Sequence, residues 1–206
     1  MHIEQRSSPG GTRCRYILWD PESHDCALVD TFPEDVEADL DWVLARDPAA
    51  QMRHILHTRH HVALAAAAER LYLLAPEAGV VAPFAGITDP SAMGSIPVGR
   101  QKFQAVQTRA APTRMGFYWP GHFLAGFAMG FDERGRAQWR GDAEAWGTLA
   151  QLPAQTRIFA GERGGEDLYL RDWQAQIGAQ VVSLAAWRGA RCGVQAAARP
   201  RLRLGN

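Results

Sequence analysis

The sequence predicts a layered α/β domain, because strand-like and helix-like segments alternate along its 206 residues. Segments 14–20, 53–57 and 103–106 are short and rich in apolar, aromatic or β-branched residues, as buried strands are. Segment 62–75 is rich in alanine and leucine and is long enough for a helix. A chain of this length fits one domain that buries about 70% of its unfolded surface. We therefore expect a single domain over residues 1–206.

The first quarter of the chain is predicted to form a hairpin followed by a helix. The two hairpin strands, 14–20 and 27–30, end at Asp30. Thr31-Phe32-Pro33-Glu34 has the pattern of a capping box, and the helix that it opens ends at Asp47-Pro48. The apolar face of this helix would consist of Val36, Leu40, Val43 and Leu44. The solvated side would carry Asp35, Glu37, Asp39 and Asp41.

Strands and helices continue to alternate after this helix. Segment 53–57 is predicted as a strand, 62–75 as a helix that ends at Pro76, and 79–82 as another strand. Three more strands are expected at 103–106, 126–131 and 137–139, with a turn at 132–135 joining the last two. A terminal helix is expected over 168–187, followed by a frayed Ala/Arg-rich tail from about residue 188.

The composition excludes several classes of partner. The chain has 22 acidic and 22 basic residues, so it lacks the global field that draws proteins to nucleic acid or anionic membranes. Three cysteines without a C-x-x-C pair argue against a disulfide framework or a zinc knuckle. The N-terminal segment lacks the apolar core of a signal peptide, and no apolar run reaches the length of a membrane span. We therefore expect a cytoplasmic protein.

A short loop with two histidines lies between the predicted strand 53–57 and the predicted helix 62–75. It reads Thr58-Arg59-His60-His61-Val62-Ala63-Leu64. Three motifs follow it in order: Pro120-Gly121-His122, Gly141-Asp142-Ala143, and a strand-like segment over 158–162 that ends at Glu162. The hairpin that ends at Asp30 precedes it.

This order of motifs resembles that of the metallo-β-lactamase superfamily, and within it the glyoxalase II and persulfide dioxygenase branch. The resemblance covers residues 10–165 and implies a four-layer αββα sandwich. In that family the loop reads T-H-x-H-x-D-H and binds one or two metal ions. Aligned on Thr58, this chain keeps only His61, since Arg59, Ala63 and Leu64 stand where the family has His, Asp and His. The metal-binding motif is therefore degenerate.

The family's central histidine position has two candidates in this chain, His122 and Arg114. The interval from His122 to Asp142 is close to the family's interval, whereas Arg114 would require a longer one. We therefore place His122 at the ligand position, which makes residues 113–119 an insertion. Segment 99–112 also fits the strand that leads into the family's ligand loop, so Arg114 stays an alternative.

The resemblance implies that a second metal ion has no site. The family's second ion would need donors at the positions of Ala63, Leu64 and Glu162. Alanine and leucine have no donor atom, so only one of the three positions could contribute a ligand.

A single Fe(II) or Zn(II) is the alternative that the resemblance leaves open. His61, His122 and Asp142 would supply two imidazoles and a carboxylate, and Asp142 would orient a water that the metal activates. Arg59, however, places a permanent positive charge where the branch has a neutral imidazole ligand. The sequence therefore favours a protein without a metal cofactor.

Without a metal, the same cleft would be lined by Arg59, His60, Trp119 and Glu162. This lining suits an anionic or thiol-bearing ligand, or a side chain of a protein partner. The sequence favours a degenerate, non-catalytic protein retained for binding, regulation or assembly. The alternative is a mononuclear metal enzyme, either a thioester hydrolase like glyoxalase II or an oxygenase like the persulfide dioxygenases. The oligomeric state is left open.

Overall fold

Two large β-sheets, a separate two-stranded sheet, two α-helices and one 3-10 turn make up the regular structure in the part of the chain that the computed structural model describes. The described residues are 1–8, 13–83, 95–107, 113–126, 129–131, 137–139, 152–161 and 168–169.

The first sheet is built from the N-terminal part of the chain. Its strands in sequence order are β1 (His2–Ser7), β2 (Cys14–Asp20), β3 (Asp25–Val29), β4 (Gln51–Leu56) and β5 (Gly79–Val81). They lie side by side in the same order. The pairs β1/β2 and β2/β3 are antiparallel, whereas β3/β4 and β4/β5 are parallel. The carboxyl ends of β3, β4 and β5 therefore lie at one edge, which we call the upper edge.

Two helices pack on one face of this sheet. A 3-10 turn, Pro33–Asp35, leads into α1 (Val36–Leu44), and α2 (Val62–Leu74) follows β4. Ile17 of β2 packs toward these helices, while its neighbour Leu18 packs toward the second sheet. Because alternate side chains of a strand point to opposite faces, a strand covered on both faces is apolar throughout. This explains the continuous apolar run that the sequence shows at this strand.

The second sheet is built from later segments. The later strands of the chain are β6 (Ser95–Val98), β7 (Gln101–Gln107), β8 (Met115–Trp119), β9 (His122–Gly126), β10 (Met129–Phe131), β11 (Ala137–Trp139), β12 (Arg157–Ala160) and β13 (Leu168–Tyr169), and all except β10 and β11 belong to this sheet. The sheet order is β13-β12-β9-β8-β7-β6, and β10 and β11 form a separate hairpin. Only β12/β9 is a parallel pair in this sheet within the described ranges.

The core between the sheets is made of large apolar side chains from both. Its fully buried members include Tyr16, Leu18, Phe103, Phe117 and Leu124. The architecture is thus an α/β layered sandwich, as the sequence predicts. Of the four layers, the described residues form one helical layer and both sheets. The predicted helix over 170–187 and the tail from 188 lie outside the described residues, and the single-domain boundary stays a prediction.

Several sequence expectations need correction in the second sheet and at the N-terminus. Residues 113–119, interpreted as an insertion, contain β8, a central strand of the second sheet. Leu168–Tyr169, expected to open a helix, is a strand. The segment expected as one strand over 126–131 is the end of β9 and then β10. Strands β1 and β6 are not predicted, because edge strands have weaker apolar patterns than central ones.

The first helix also differs from its sequence prediction. The expected capping box is not formed: the Thr31 hydroxyl donates to Asp39 at 3.1 Å instead of capping the helix. Asp39, expected on the solvated side, is fully buried, and Leu44, expected in the core, is 46% exposed. Asp39 is buried because the Arg15 side chain of β2 donates to it at 2.8 Å and Arg6 of β1 lies 3.3 Å from it.

No helix in the described ranges is long and apolar enough to cross a membrane. The expected cytoplasmic location stays a prediction from the sequence.

We predict that Asp39→Ala destabilises the fold by about 3–5 kcal/mol, because it leaves the buried Arg15 guanidinium without this carboxylate. Asp41→Ala on the exposed side of the same helix is the matched control, and its effect should stay within about 0.5 kcal/mol. Urea denaturation of both variants measures the difference. Equal stability of the two variants would show that the ion pair does not stabilise this corner of the fold.

Candidate functional site

The loop 58–61 connects the carboxyl end of β4 to the first turn of α2, at the upper edge of the sandwich. Its first residue, Thr58, is fully buried. The Thr58 carbonyl accepts the backbone N–H of Met115 at 2.9 Å, and the N–H of His60 donates to the carbonyl of Thr113 at 2.8 Å. The loop of the first sheet is therefore attached to the entrance of β8 in the second.

Asp30, just after β3, fixes the position of Thr58. One carboxylate oxygen accepts the Thr58 backbone N–H at 2.7 Å, and the other accepts the Thr58 hydroxyl at 2.5 Å. Asp30 has a φ of 53°, a left-handed conformation that aspartate and asparagine adopt more readily than most residues. Burial raises the pKa of this carboxyl to about 6, while the bonds from Thr58 and the charge of Arg59 act to lower it.

Gly126, the last residue of β9, holds Thr58 from the other sheet. It has a φ of 49°, and a Cβ at this position would overlap the Thr58 side chain. The glycine is therefore required both by its backbone conformation and by the close approach of Thr58. Thr58 thus lies between a carboxylate of the first sheet and a glycine of the second.

Arg59 and Arg114 face each other across an isolated antiparallel bridge. The two flanking hydrogen bonds, from Met115 to Thr58 and from His60 to Thr113, identify it as a non-hydrogen-bonded pair. In such pairs the Cα atoms are about 4.5 Å apart and the side chains lie on the same face. Both arginines are half-buried. Two arginine residues thus face each other at the upper edge.

His61 is the N-terminal cap of α2, and its side chain is exposed. Its Nδ1 accepts the backbone N–H of Ala63 at 3.2 Å. Burial and then the charges of Arg59, Arg13 and His60 lower the pKa of His61, so the ring is mainly neutral at pH 7. A neutral ring that accepts at Nδ1 carries its proton on Nε2. The outward nitrogen of His61 is therefore a hydrogen-bond donor.

Two of the three positions that would serve a second metal ion, Ala63 and Leu64, are apolar. Leu64 is fully buried and packs against Phe32, with Ala63 beside them. The guanidinium of Arg13 lies over the Phe32 ring, 4.2 Å from its centroid. Apolar side chains thus fill this corner of the loop, and the Arg13 guanidinium lies over the Phe32 ring.

His122 and Trp119 lie at the opposite end of β8 from the loop. They pair with each other across the β8–β9 turn, whereas Arg114 immediately precedes β8 at its other end. A five-residue strand spans about 13 Å. The His122 ring stacks on Trp119, with centroids 4.9 Å apart and planes 7° apart. The structure therefore does not bring His122 to His61 or Trp119 to Arg59, and Arg114 is the residue found beside the loop.

Two other predicted site residues, Asp142 and Glu162, lie outside the described residues. The last described residue before Glu162 is Gly161. Its backbone N–H donates to the Gly126 carbonyl at 2.7 Å, next to Thr58. His60 is exposed on the loop, and its place in a ligand pocket stays a prediction. The structure thus assembles Arg59, His60, His61 and Arg114.

The described residues at this edge do not fit a metal ion. No group of three or more His, Cys, Asp or Glu side chains within the described ranges is arranged to hold one. His61 offers a protonated nitrogen, and Arg59 and Arg114 add positive charge where a cation would have to bind. Asp30 directs both carboxylate oxygens to Thr58.

Sequence reasoning missed two residues of this site. Arg13 precedes the first predicted strand, and no local pattern connects it to the loop near residue 60. Asp30 ends the first predicted hairpin, but the sequence pattern does not predict its contact with Thr58. The contact could have been inferred from the positions of Asp30 and Thr58. They follow the ends of β3 and β4, two neighbouring parallel strands whose carboxyl ends meet at one edge of the sheet.

We predict that Asp30→Asn removes a pH dependence of stability between about pH 4 and pH 6. The folded pKa of Asp30 is raised to about 6, above the unfolded value of about 3.9, so the folded state binds the proton more tightly. The contribution of this carboxyl to stability therefore falls as the pH rises through that interval. Asparagine tolerates the left-handed backbone and carries no charge.

The measurement is the melting temperature of wild type and variant from pH 4 to pH 8, with Asp41→Asn as the exposed control. The difference between wild type and Asp30→Asn should change with pH up to about 6 and then level off. A difference that is constant over the whole range would contradict the raised pKa.

Comparison with known proteins agrees with this architecture. No protein-family model and no curated protein sequence matches the chain. ETHE1 from Myxococcus xanthus has a similar structure, with a TM-score of 0.64 and 19% identity over 85% of this chain and 83% of that one. A metallo-β-lactamase from Staphylococcus aureus has a TM-score of 0.64 and 13% identity over 85% of this chain and 61% of its own. The metallo-β-lactamase superfamily protein ST1585 from Sulfolobus tokodaii has a TM-score of 0.59 and 10% identity over 87% of this chain and 86% of its own. The chain therefore has the metallo-β-lactamase fold.

Proposed function

We propose that the protein is a non-catalytic binding protein that uses the upper edge of the fold to hold an anionic ligand or an acidic side chain of a partner. The observation that carries this proposal is the Arg59–Arg114 bridge, which brings two arginine residues opposite each other beside the end of β4. Guanidinium groups bind carboxylates and phosphates through paired hydrogen bonds.

The surrounding groups support an anion at this edge. His61 presents an N–H outward, and Arg13 lies near enough to lower the pKa of His61. The α2 backbone begins at the same place, and a helix N-terminus favours negative charge. A small anion, a thiol-bearing acid and an acidic partner residue share the chemistry that this edge would recognise.

A mononuclear hydrolase or oxygenase receives no support from the described residues. It would require His61 and His122 to converge, and the two lie at opposite ends of the sandwich. The absence of a metal cofactor is thus part of the proposal, and it is tested separately below.

We predict that Arg59→Ala weakens anion binding at least tenfold, because it removes a charge-assisted pair of hydrogen bonds worth about 1.5–3 kcal/mol. The measurement is the rise in melting temperature of the purified protein with acetate, thioglycolate and sulfate. At least one of these anions should stabilise the wild type, and the variant should need a higher concentration for the same effect.

Arg46→Ala is the matched control, since Arg46 is exposed beyond the end of α1 and its guanidinium lies 3.7 Å from the Trp42 ring centroid. This variant should bind the same anions as the wild type does. The proposal fails if no anion stabilises the wild type, or if Arg59→Ala and Arg46→Ala respond alike.

We also predict that EDTA leaves the melting temperature unchanged in protein purified without affinity-tag nickel. A tightly bound ion would stabilise the folded state by mass action, and its removal would lower the melting temperature. A fall of several degrees that Fe(II) or Zn(II) reverses would contradict the proposal and favour the metal enzyme.

A further inference from the structure

We propose that two copies of the chain associate through β1, so that their first sheets join edge to edge into one continuous sheet. β1 is an edge strand of the first sheet, and within the described residues it pairs only with β2. A strand at a sheet edge has backbone N–H and C=O groups without a neighbouring strand, and a second chain can pair with them. The proposal is independent of the anion site, because β1 contains none of the residues of that site.

β1 lacks the features that usually keep the edge strands of a sheet from pairing. It is six residues long, contains neither lysine nor proline, and pairs with β2 without a bulge. The other edge strands of the two large sheets are shorter within the described ranges: β5 has three residues, β13 has two, and β6 has four, one of them Pro97. Short edges, prolines, lysines and bulges all discourage pairing. β1 is therefore the edge at which a second strand can add.

The hydrogen bonds at the end of β1 show which of its residues face the open edge. In an antiparallel pair, residues that exchange hydrogen bonds alternate with residues that do not. The backbone N–H of Ser8 donates to the Arg13 carbonyl at 2.9 Å, so the preceding pair, Ser7 and Cys14, is a non-hydrogen-bonded one. The N–H of Cys14 agrees with this, since it donates to the Gly161 carbonyl at 2.9 Å and thus points away from β1.

Because the register of β1 and β2 is uniform, this alternation continues along the whole strand. The N–H and C=O groups of Ile3, Gln5 and Ser7 therefore point to the open edge, whereas those of the alternate residues point to β2. One outward group is already used in part, since the Ser7 carbonyl accepts an Arg15 side-chain nitrogen at 3.2 Å. A carbonyl oxygen has two lone pairs, so it can accept a second hydrogen bond.

The symmetry of a dimer selects the orientation and register of the added strand. Two copies related by a two-fold axis pair in antiparallel orientation at such an edge. With the axis at Gln5, the partner's Gln5 lies opposite it, and Ile3 lies opposite the partner's Ser7. This register places all three outward-facing residues of each strand in hydrogen-bonded pairs. A shift of two residues in either direction leaves one of the three without an opposite residue in the partner's β1.

The charges of β1 select the same register. Glu4 and Arg6 are two residues apart, so they lie on the same face of the strand. With the axis at Gln5, Glu4 lies opposite the partner's Arg6, and the symmetry repeats this opposite-charge pair. A shift of two residues instead places Glu4 opposite the partner's Glu4, or Arg6 opposite the partner's Arg6. Like charges directly opposite each other destabilise a pair of strands.

Arg6 can take part in this pair while it keeps its contact within its own chain. Its Nε lies 3.3 Å from an Asp39 carboxylate oxygen. A guanidinium has five N–H donors in a planar arrangement, so it can bond two carboxylates at once. The interface therefore adds a partner to Arg6 and leaves the buried Asp39 with its own.

The mass of the full chain in solution tests the association. Sedimentation velocity over a range of concentrations should show a monomer that converts to a dimer and to no larger species, because the two-fold pair uses β1 of both copies. Glu4→Arg should weaken the dimer at least tenfold, since it replaces both opposite-charge pairs with like-charge pairs. Glu69→Arg is the matched control: it makes the same charge change at an exposed position of α2 and should leave the dimer unchanged.

Two further variants test the hydrogen bonds and the register. Gln5→Pro removes the N–H at the two-fold axis and should abolish the dimer, while the N–H groups that bond β2 are untouched. A melting curve of this variant, compared with wild type at a concentration where wild type is monomeric, checks that it folds. Glu4→Gln should weaken the dimer less than Glu4→Arg does. If Gln5→Pro does not fold, the two Glu4 variants still decide.

Several results would overturn the proposal. One is a wild-type chain that stays monomeric up to its solubility limit, and another is an equal effect of Glu4→Arg and Glu69→Arg on the dimer. A Glu4→Gln variant that dimerises more tightly than wild type would mean that the two Glu4 side chains lie opposite each other, which contradicts the register. Loss of the dimer in Glu69→Arg alone would place the interface on α2, where Leu73 is 82% exposed, instead of on β1.

Discussion

The buried contact between Asp30 and Thr58 is the constraint on which the upper edge of this fold depends. Both oxygens of a fully buried carboxylate are used to hold the backbone and hydroxyl of one threonine. Gly126 of the other sheet approaches the same side chain, so no larger residue fits there. A carboxylate with two donors is compatible with burial, whereas an unpaired one would not be. The loop that follows Thr58 is therefore held in place from both sheets.

The side chains on and around this loop are basic and apolar. The loop carries Arg59, with Arg114 opposite it across the bridge between the sheets. Leu64 and Phe32 fill the neighbouring space with hydrocarbon. A buried leucine contributes to packing and needs no ligand for its stability. The packing of Leu64 against Phe32 therefore stabilises this corner of the fold through apolar contacts.

The two ends of the sandwich are built differently, and this explains the position of His122. At the lower end, the β8–β9 turn brings the rings of Trp119 and His122 into a stack with Phe159. At the same end, the Asp20 carboxylate of the first sheet accepts the Arg100 backbone N–H of the second at 3.0 Å. These contacts close the lower end. The upper end is where the parallel strands finish, and open α/β sheets place ligands at that edge. A Pro-Gly-His motif is equally suited to a hairpin turn, which is its role here.

By itself the sequence determined the layered α/β class, the strand before Thr58, the helix after it, and the absence of donor atoms at Ala63 and Leu64. These are local properties, since periodicity and side-chain chemistry are read within a few residues. Only the tertiary structure decided that Arg114 lies opposite Arg59, that His122 lies at the other end, and that Asp39 is buried on Arg15. Each of these depends on which distant strands pair and in what register, and a shift of one residue reverses the face of every side chain. The spacing between motifs could not supply that information, because the segment interpreted as an insertion is a central strand of the second sheet.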